Sequence, residues 1–278
     1  MPGTLFVVAT PIGNLEDLTF RALRTLREVD VIAAEDTRRT SKLLAHYEIR
    51  KPLVSLREHN EAVEAPRLVQ RIRDGIAVAL VTDAGTPGIS DPGARLVRGA
   101  QEAGLRIVPI AGPSAVTAAL SVSGFSADRF TFLGFPPPSG AARERWFDDL
   151  AEEPGVVVLF ESPHRVARTL EELRMVNRPI VVLREGTKLN EELVVSPTEV
   201  REQGEFTFVV GSAPSAVKRE LDPEICLELF DRFTRLAGFD EVDAGKLTAA
   251  LLDVPPATMK RTLKKAKIAA KRLADPAS

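Results

Sequence analysis

The stretch IAVALVTDAGTPGISDPGARLV, residues 76–97, decides the fold of the first part of the chain. Its apolar start, 76–81, is typical of a buried strand, and the residues from 91 to 103 predict a helix. Between them, TDAGTPGISDPG (82–93) holds three glycines, two prolines and two aspartates. Turn-forming residues at this density make either a tight connection between strand and helix or a backbone cradle for a small ligand.

Strand and helix patterns alternate on both sides of this stretch. Short apolar strands that alternate with helices indicate a mostly parallel sheet that is covered on both faces. The predicted strands are TLFVVAT (4–10), VDVIAAE (29–35), PLVSL (52–56), IAVALVT (76–82) and LRIVPI (105–110), with helices at 20–29, 60–73 and 91–103 and a helix that includes SKLLAHY (41–47).

A second α/β domain begins near Gly112, where AGPSAVTAALSVSG (111–124) predicts a turn followed by a helix of small residues. The polar segment 212–224 contains proline and predicts a linker, and only helical patterns follow it. We therefore predict two α/β domains, 1–111 and 112–213, and a basic helical segment, 223–278. The later strands are FTFLGF (130–135), VVVLFE (156–161), PIVVLRE (179–185) and FTFVVGS (206–212), with helices at 140–151, 162–174, 223–237, 242–252 and 256–273.

The composition is that of a soluble globular protein. Of 278 residues, 44% are hydrophobic and 27% are charged, and the formal net charge is -2. Apolar runs such as 156–160 are too short to span a bilayer, and MPGTLFVVAT lacks the basic start of a signal peptide. The single cysteine, Cys226, excludes an internal disulfide and is expected to be a small buried residue. We therefore expect a cytoplasmic protein without a membrane partner.

The general catalytic motifs are absent from the sequence. Neither GxxxxGK[ST] nor a GxGxxG after the first strand is present, so the ligand is not obviously a nucleotide phosphate. The three histidines, His46, His59 and His164, lie at no metal-ligand spacing, and no GxSxG is found. Metal-assisted and nucleophilic catalysis are therefore disfavoured.

Four loops that follow predicted strands are the candidates for a ligand site, because such loops gather at the carboxyl edge of a parallel sheet. In the third loop, Gly85 and Gly88 let backbone amides approach a ligand, and Asp83 supplies an acceptor. Ser90 and Pro92 mark the start of a helix, so spacing alone leaves cradle and structural turn equally open. The four loops are ATPIGN (9–14), AEDTRRT (34–40), TDAGTPGISDPG (82–93) and AGPSA (111–115).

Taken together, these loops and several later strings resemble the ribosomal RNA small subunit methyltransferase I family, a branch of the tetrapyrrole methylase superfamily. The resemblance runs from about Thr4 to Gly211 with the motifs in order. Corrin and sirohaem methylases carry GxGxGD at the first loop and GDP at the third, which this chain lacks. The strings are FVVATPIGNLEDLTFRALRTL, AAEDTRRTSKLL, LVTDAGTPGISDPGARLV, PIAGPSAVTAAL, FLGFPPP, FESPHRV and LREGTKLNEEL.

The resemblance implies two α/β domains of the tetrapyrrole methylase type with S-adenosylmethionine (SAM) bound in the cleft between them. It implies methylation of the ribose 2′-OH of a cytidine in the decoding centre of 16S rRNA, in the small ribosomal subunit. It further implies a homodimer that needs no metal. The positions that match cofactor contacts of the family are Pro11, Ile12, Gly85, Thr86, Pro87, Ile89, Ser114, Ala115, Phe160, Glu161 and Phe206.

Methyl transfer to a hydroxyl requires that the acceptor be oriented and its proton be accepted or dispersed. The candidate polar groups also include Glu35 and Glu191, but the candidate catalytic residues are Asp36, Arg38, Glu161 and Lys188, and the sequence does not single out a base among them. Each has an alternative structural role. Asp36 could cap the following helix, Arg38 and Lys188 could form ion pairs across the domain interface, and Glu161 could be a surface carboxylate.

The end of the chain, MKRTLKKAKIAAKRLADPAS, concentrates basic residues in a protein with a net acidic remainder. At helical spacing one face carries Lys260, Lys264, Lys267 and Lys271, and another carries the apolar stripe Leu263, Ala266 and Ala270. The basic face is either a contact for rRNA phosphates or a solvated helix face.

Two other functions remain open at this point. One is methylation of a tetrapyrrole precursor, which the loop sequences disfavour. The other is an RNA-binding or assembly factor that uses SAM only structurally.

Overall fold

The computed structural model describes residues 1–213, 222–235, 239–252, 254, 259–260, 262–264 and 266–267. Its first part is a five-stranded sheet of order β3-β2-β4-β1-β5, in which every neighbouring pair is parallel. The predicted parallel sheet is therefore confirmed. The elements are β1 (Thr4–Val8), a 3-10 turn (Leu15–Asp17), α1 (Phe20–Glu28), β2 (Val31–Ala34), α2 (Thr37–His46), β3 (Leu53–Ser55), α3 (Glu61–Arg73), β4 (Val78–Val81), α4 (Ala94–Glu102) and β5 (Arg106–Ile110).

The sheet is buried on both faces because its central strands are apolar at consecutive positions. All four residues of β2 and all four of β4 are buried. Leu5 and Leu80 pack with Leu96 of α4 on one face, whereas Ile32 packs with Leu26 of α1 on the other. Continuous apolar strands covered by helices on both sides are the expected product of βαβ units.

The strand order places the loops after β2, β4 and β1 side by side at one edge of the sheet. The loop after β5 lies next to them, because β5 pairs with β1. The candidate loops of the first sheet therefore meet where the order of parallel strands favours ligand binding.

The second sheet has the order β6-β7-β10-β8-β9. Only β6 and β7 run parallel, and the remaining neighbours are antiparallel. Its central strands, β7, β8 and β10, are largely buried. The elements are α5 (Ala115–Val122), β6 (Phe130–Phe132), α6 (Gly140–Glu152), β7 (Val156–Glu161), α7 (Val166–Met175), β8 (Ile180–Arg184), β9 (Glu192–Val195) and β10 (Phe206–Val210).

Three details differ from the sequence-based expectations. The edge strand β9 was not predicted, because its four residues are mostly exposed and show no apolar alternation. Helix α7 begins at Val166 rather than at 162, since a turn closed by Arg165 N–H to Ser162 O (3.1 Å) precedes it. Helix α4 begins at Ala94 rather than at 91, because Gly93 has φ +128°, outside the helical region.

The C-terminal part packs α8 (Pro223–Arg235) against α9 (Glu241–Leu251). Its core contains Cys226 and Phe230 with Met259 and Leu263. The predicted helices at 223–237 and 242–252 are confirmed within the described ranges, and only part of the helix predicted at 256–273 falls within them. The domain limits 1–111, 112–213 and 223–278 stay predictions. Among the residues that the structure describes, no helix is both long and apolar enough to cross a membrane.

Candidate functional site

The first and third loops are joined by their main chains. Thr10 and Gly85 form an isolated antiparallel bridge, with N–H to O distances of 2.9 and 3.0 Å. The buried hydroxyl of Thr10 also donates to Thr82 O at 3.1 Å. These bonds fix the first loop to the third mainly through main-chain groups.

Gly85 lies where three of the four loops converge. It has φ +85°, and a Cβ built on it would lie 3.5 Å from Ile12 Cγ2 and 3.9 Å from Pro113 O. Thr86 Oγ1 donates to the same Pro113 carbonyl at 3.2 Å. The structure therefore brings Ile12, Gly85 and Thr86, which were predicted from the first and third loops, next to Pro113 of the fourth loop.

The third loop divides into an open part and a structural part. Gly88 has φ +82°, and a Cβ there would meet no heavy atom within 4 Å. At Gly93 a Cβ would lie 2.7 Å from Leu80 Cδ2, so this glycine is needed for packing. The buried Glu61 carboxylate accepts from the amides of Gly93 and Arg95 at 2.9 Å each and completes the start of α4. The exposed part of the loop, Gly88 and Ile89, is thus free to receive a ligand, whereas Gly85 and Pro87 are buried and 90–95 builds the helix start.

Three contacts bring the second domain onto these loops. Asn14 N–H donates to Thr187 Oγ1 at 3.1 Å, and a Cβ on Gly13 would lie 2.4 Å from Lys188 Cγ. A Cβ on Gly134 would lie 3.3 Å from Ser90 Oγ. These residues line the junction of the two domains, and sequence reasoning missed Gly13 and Thr187 because it concerned single loops.

The positions predicted in the second domain differ in accessibility. Phe160 is half-buried, whereas Glu161 and Phe206 are each 2% exposed. The Glu161 carboxylate accepts from Ser162 N and Thr169 Oγ1 at 2.7 Å each and pairs with Arg165 at 2.7 Å. The alternative that Glu161 is a surface carboxylate is therefore wrong. A cofactor role for Glu161 and Phe206 stays a prediction that would depend on their main chains.

Asp36 precedes α2 and caps its first turn, which is the alternative structural role that the sequence allowed for it. Its carboxylate accepts from Arg38 N at 2.9 Å and pairs with the Arg38 guanidinium at 2.7 Å. The side-chain hydrogen bond from Arg38, followed by the one from the Arg38 amide, holds the pKa of Asp36 far below its usual value. Asp36 therefore stays ionised and is a weak proton acceptor.

Lys188 forms ion pairs with Glu185 at 2.8 Å and with Glu205 at 3.1 Å, all within the second domain. Burial disfavours its ammonium, but the hydrogen bonds to Glu185 and Glu205 outweigh burial and raise the pKa of Lys188. The expectation that Arg38 and Lys188 form ion pairs across the domain interface is wrong, because each pairs with a carboxylate of its own domain.

A group of carboxylates lies beneath the third loop. Glu35 Oε2 accepts from Thr82 Oγ1 at 2.7 Å and from Asp83 N at 3.3 Å, and Asp83 Oδ1 accepts from Asp36 N at 3.0 Å. Burial, with added repulsion from Glu35 and Asp83, raises the pKa of Asp91 to about 6 despite a hydrogen bond to Thr82. Sequence reasoning missed Asp91 because the pattern gave it only a place before a helix.

The basic face of the C-terminal segment is described in part. Lys260, Lys264 and Lys267 are exposed, and Lys271 lies outside the described residues. Lys267 pairs with Glu241 at 3.4 Å and lies 4.4 Å from the centroid of the Phe230 ring. The buried residues Met259 and Leu263 dock this segment on α8 and α9, and Lys267 lies over the Phe230 ring of that core.

The chain is similar to known proteins over most of its length. The family described as Tetrapyrrole (Corrin/Porphyrin) Methylases matches residues 4–200. The ribosomal RNA small subunit methyltransferase I of Haemophilus influenzae is 44% identical over 240 residues, which cover 81% of this chain and 84% of that protein. The protein of the same name from Xylella fastidiosa is 48% identical over 225 residues, covering 76% and 82% of the two chains.

Solved structures share the fold at low sequence identity. A crystal structure of diphthine synthase superposes with a TM-score of 0.60 at 16% identity, covering 76% of this chain and 90% of that one. The uroporphyrin-III C-methyl transferase of Thermus thermophilus, complexed with S-adenyl homocysteine, gives 0.54 at 20% identity, covering 74% and 97%. At this identity the likeness concerns the fold alone.

Proposed function

The chain belongs to the tetrapyrrole methylase family and, within it, to the ribosomal RNA small subunit methyltransferase I proteins, and from this membership we propose that it methylates the ribose 2′-OH of a cytidine in the decoding centre of 16S rRNA. The observation that carries the proposal is the third loop, which is open at Gly88 and is fixed to the first loop by the bridge between Thr10 and Gly85. Main-chain donors and acceptors on such a loop can bind the polar groups of a small cofactor such as SAM.

The chain's own residues fit SAM at this surface. Gly88 exposes its main chain and, like Gly85, adopts a positive φ, which other residues rarely adopt, whereas the N–H and the carbonyl of the buried Gly85 are already bonded to Thr10. SAM supplies a methyl group that its sulfonium has already activated for displacement. We assign the binding to Pro11, Ile12, Gly85, Thr86, Pro87, Ile89, Ser114 and Ala115, with Phe160 from the second domain and the main chains of Glu161 and Phe206.

The catalytic candidates act by position rather than by proton transfer. Asp36 holds Arg38, whose side chain is 81% exposed and suited to a phosphate of the substrate. Lys188, charged and fixed by two carboxylates, keeps the loop after β8 against Gly13. Glu161 is fully engaged by its hydrogen-bond and ion-pair partners and is unsuited to act as a base. Orientation of the 2′-OH against the methyl group therefore carries most of the rate enhancement.

The direct test is methyl transfer from labelled SAM to small ribosomal subunits isolated from a strain that lacks this modification. Digestion of the product to nucleosides, followed by mass spectrometry, is expected to yield 2′-O-methylcytidine. Label on a nucleobase would contradict the 2′-O assignment, and SAM binding without transfer would favour the assembly factor. Naked 16S rRNA, run in parallel, shows whether the particle is needed.

The exposed lysines 260, 264 and 267 are proposed to contact rRNA phosphates and position the particle without reading its sequence. Replacing Lys260 and Lys264 together by Glu should weaken binding to small subunits and reduce the slope of affinity against salt by about one per lost phosphate contact. The control is Lys246→Glu on α9, which removes a lysine paired with Asp243. Equal affinity and salt slope in all variants would return these lysines to a solvated helix face.

The proposal also includes a cytoplasmic homodimer, which is supported by family resemblance. Light scattering of the purified protein tests the assembly state, and a monomer at micromolar concentration would contradict it.

A further inference from the structure

Phe135 is an exposed aromatic residue beside the proposed cofactor surface. Phe135 follows β6 in the chain and is 50% exposed. Its neighbour Gly134 approaches the third loop so closely that a Cβ there would lie 3.3 Å from Ser90 Oγ. Phe135 therefore stands at the junction of the two domains, next to the loop proposed to hold SAM.

The loop that carries Phe135 is fastened by its carbonyl groups. Phe160 N–H donates to Gly134 O at 2.9 Å, Arg165 Nη1 to Pro136 O at 2.9 Å, and Arg143 Nη1 to Pro137 O at 2.8 Å. Residues 136–138 are all proline, which restricts φ at three consecutive positions. An exposed aromatic side chain on a surface loop is ordinary, but here the backbone on both sides of it is held in place.

The two arginines that hold this loop belong to a buried charged network. Arg143 is 1% exposed and donates to Thr169 Oγ1 at 2.6 Å and to Glu172 Oε2, and Arg165 pairs with the buried Glu161 at 2.7 Å. Buried ion pairs contribute little net stability compared with apolar side chains of similar size. What this network provides is a fixed position for the loop and hence for Phe135.

The ring of Phe135 is supported from one side. Its centroid lies 5.6 Å from that of Phe160 at an interplanar angle of 60°, and Phe160 lies 4.9 Å from Phe132. Half of Phe135 is left open to solvent on this support. A rigid, half-open aromatic ring is the surface on which proteins stack unpaired RNA bases, because every base presents a π face.

We propose that Phe135 stacks an unpaired base of the RNA substrate at the mouth of the cofactor cleft, an inference that rests on the proposed rRNA methyltransferase function. Stacking fixes the base and, through its glycosidic bond, limits where the attached ribose can lie. Phe135 thereby positions the substrate for transfer and takes no part in the movement of a proton.

The test compares four variants on small ribosomal subunits: Phe135→Ala, Phe135→Leu, Phe135→Trp and Phe130→Ala. Phe130 is a matched control, since it lies at the other end of β6 and is 44% exposed. Phe135→Ala is expected to raise the KM for the subunit, or lower kcat/KM, about fivefold to a hundredfold, the range for loss of one stacked base. Phe135→Leu should lose nearly as much, because it is apolar but lacks a π face, whereas Phe135→Trp should keep wild-type efficiency.

The Kd for SAM and the oligomeric state are measured for each variant. Both are expected to be unchanged. A tenfold rise in the Kd for SAM would make Phe135 part of the cofactor site. A change in the oligomeric state would make it a subunit contact. Either result overturns the proposal. Equal activity of Phe135→Leu and wild type overturns stacking. Absence of transfer by the wild-type protein would instead count against the proposed function itself.

Discussion

The two halves of the proposed cleft are built in different ways. The first-domain half is made of main chain, with the bridge between Thr10 and Gly85 and the open surface at Gly88. The second-domain half is made of charged side chains, with Arg143 and Glu161 almost wholly buried. A main-chain surface suits a small cofactor that is the same in every turnover, whereas a side-chain framework can fix loops that face a large substrate. The two halves should therefore respond differently to substitution.

The largest effect is expected at the main-chain half. Gly85→Val places a β-branched side chain at φ +85° and into the space shared with Ile12, so SAM binding should fall by at least a hundredfold. Calorimetry gives the affinity. The matched control is Gly104→Val, at φ +65° with no heavy atom within 4 Å of its Cβ, which carries similar backbone strain away from the loops. Equal SAM binding by Gly85→Val and wild type would remove this loop from the site.

Substitutions in the side-chain half should mainly lower the stability of the protein. Arg143→Met removes the partner of Glu172 and Thr169 and leaves Glu161 with one arginine fewer. Loss of one member of a buried charged network costs about 3–5 kcal/mol in the free energy of unfolding. Arg168→Met is the control, because Arg168 pairs with the same Glu172 from an exposed position and should cost under about 1 kcal/mol. Similar urea unfolding midpoints for the two variants would contradict the difference drawn between the halves.

The positioning residues should affect turnover more than cofactor affinity. Asp36→Ala and Lys188→Ala are each expected to lower methylation of small subunits about a hundredfold, the scale of a misplaced substrate, with the Kd for SAM within a few-fold of wild type. Asp36→Asn keeps an acceptor for the Arg38 amide but loses the ion pair, so its turnover should lie between those of wild type and Asp36→Ala. Near-normal turnover of both alanine variants would exclude these residues from the active site.

The smallest effect is expected for the dependence of the protein's stability on pH that arises from Asp91 in the third loop. The pKa of Asp91 is raised from 3.8 to about 6, so between these values the folded protein binds a proton that the unfolded chain has released. Stability from this group is thus present at low pH and is lost as pH rises through about 6. Asp91→Asn should be more stable than wild type at pH 7, and the difference should vanish below pH 4. Asp149→Asn, on the exposed side of α6, controls for the loss of one charge, and a parallel pH profile for all three proteins would contradict the assignment.

The contrast between the halves also explains what the sequence could reveal. Continuous apolar strands followed by loops rich in glycine and proline predicted the parallel sheet and the loops that converge on Gly85. The second half depends on contacts between distant residues, such as Arg143 with Pro137 and Glu172, which no local pattern contains. For the same reason Glu161 could be mistaken for a surface carboxylate, and the ion pairs of Lys188 could be assigned to the wrong domain. Strand β9 is only four residues long and its residues do not alternate between apolar and polar, so no strand pattern marked it.

The most direct test of this division is a crystal structure of the protein with S-adenosylhomocysteine. We predict the ligand at the junction of the domains, with hydrogen bonds of about 2.7–3.2 Å to main-chain groups of residues 85–89 and 114–115. Phe160 should be near it, and the carboxylate of Glu161 should stay with Arg165 and Thr169. A ligand held mainly by charged side chains of the second domain would contradict the account. So would a ligand bound elsewhere, such as the surface depression between α2 and β3 lined by Leu44 and Pro52.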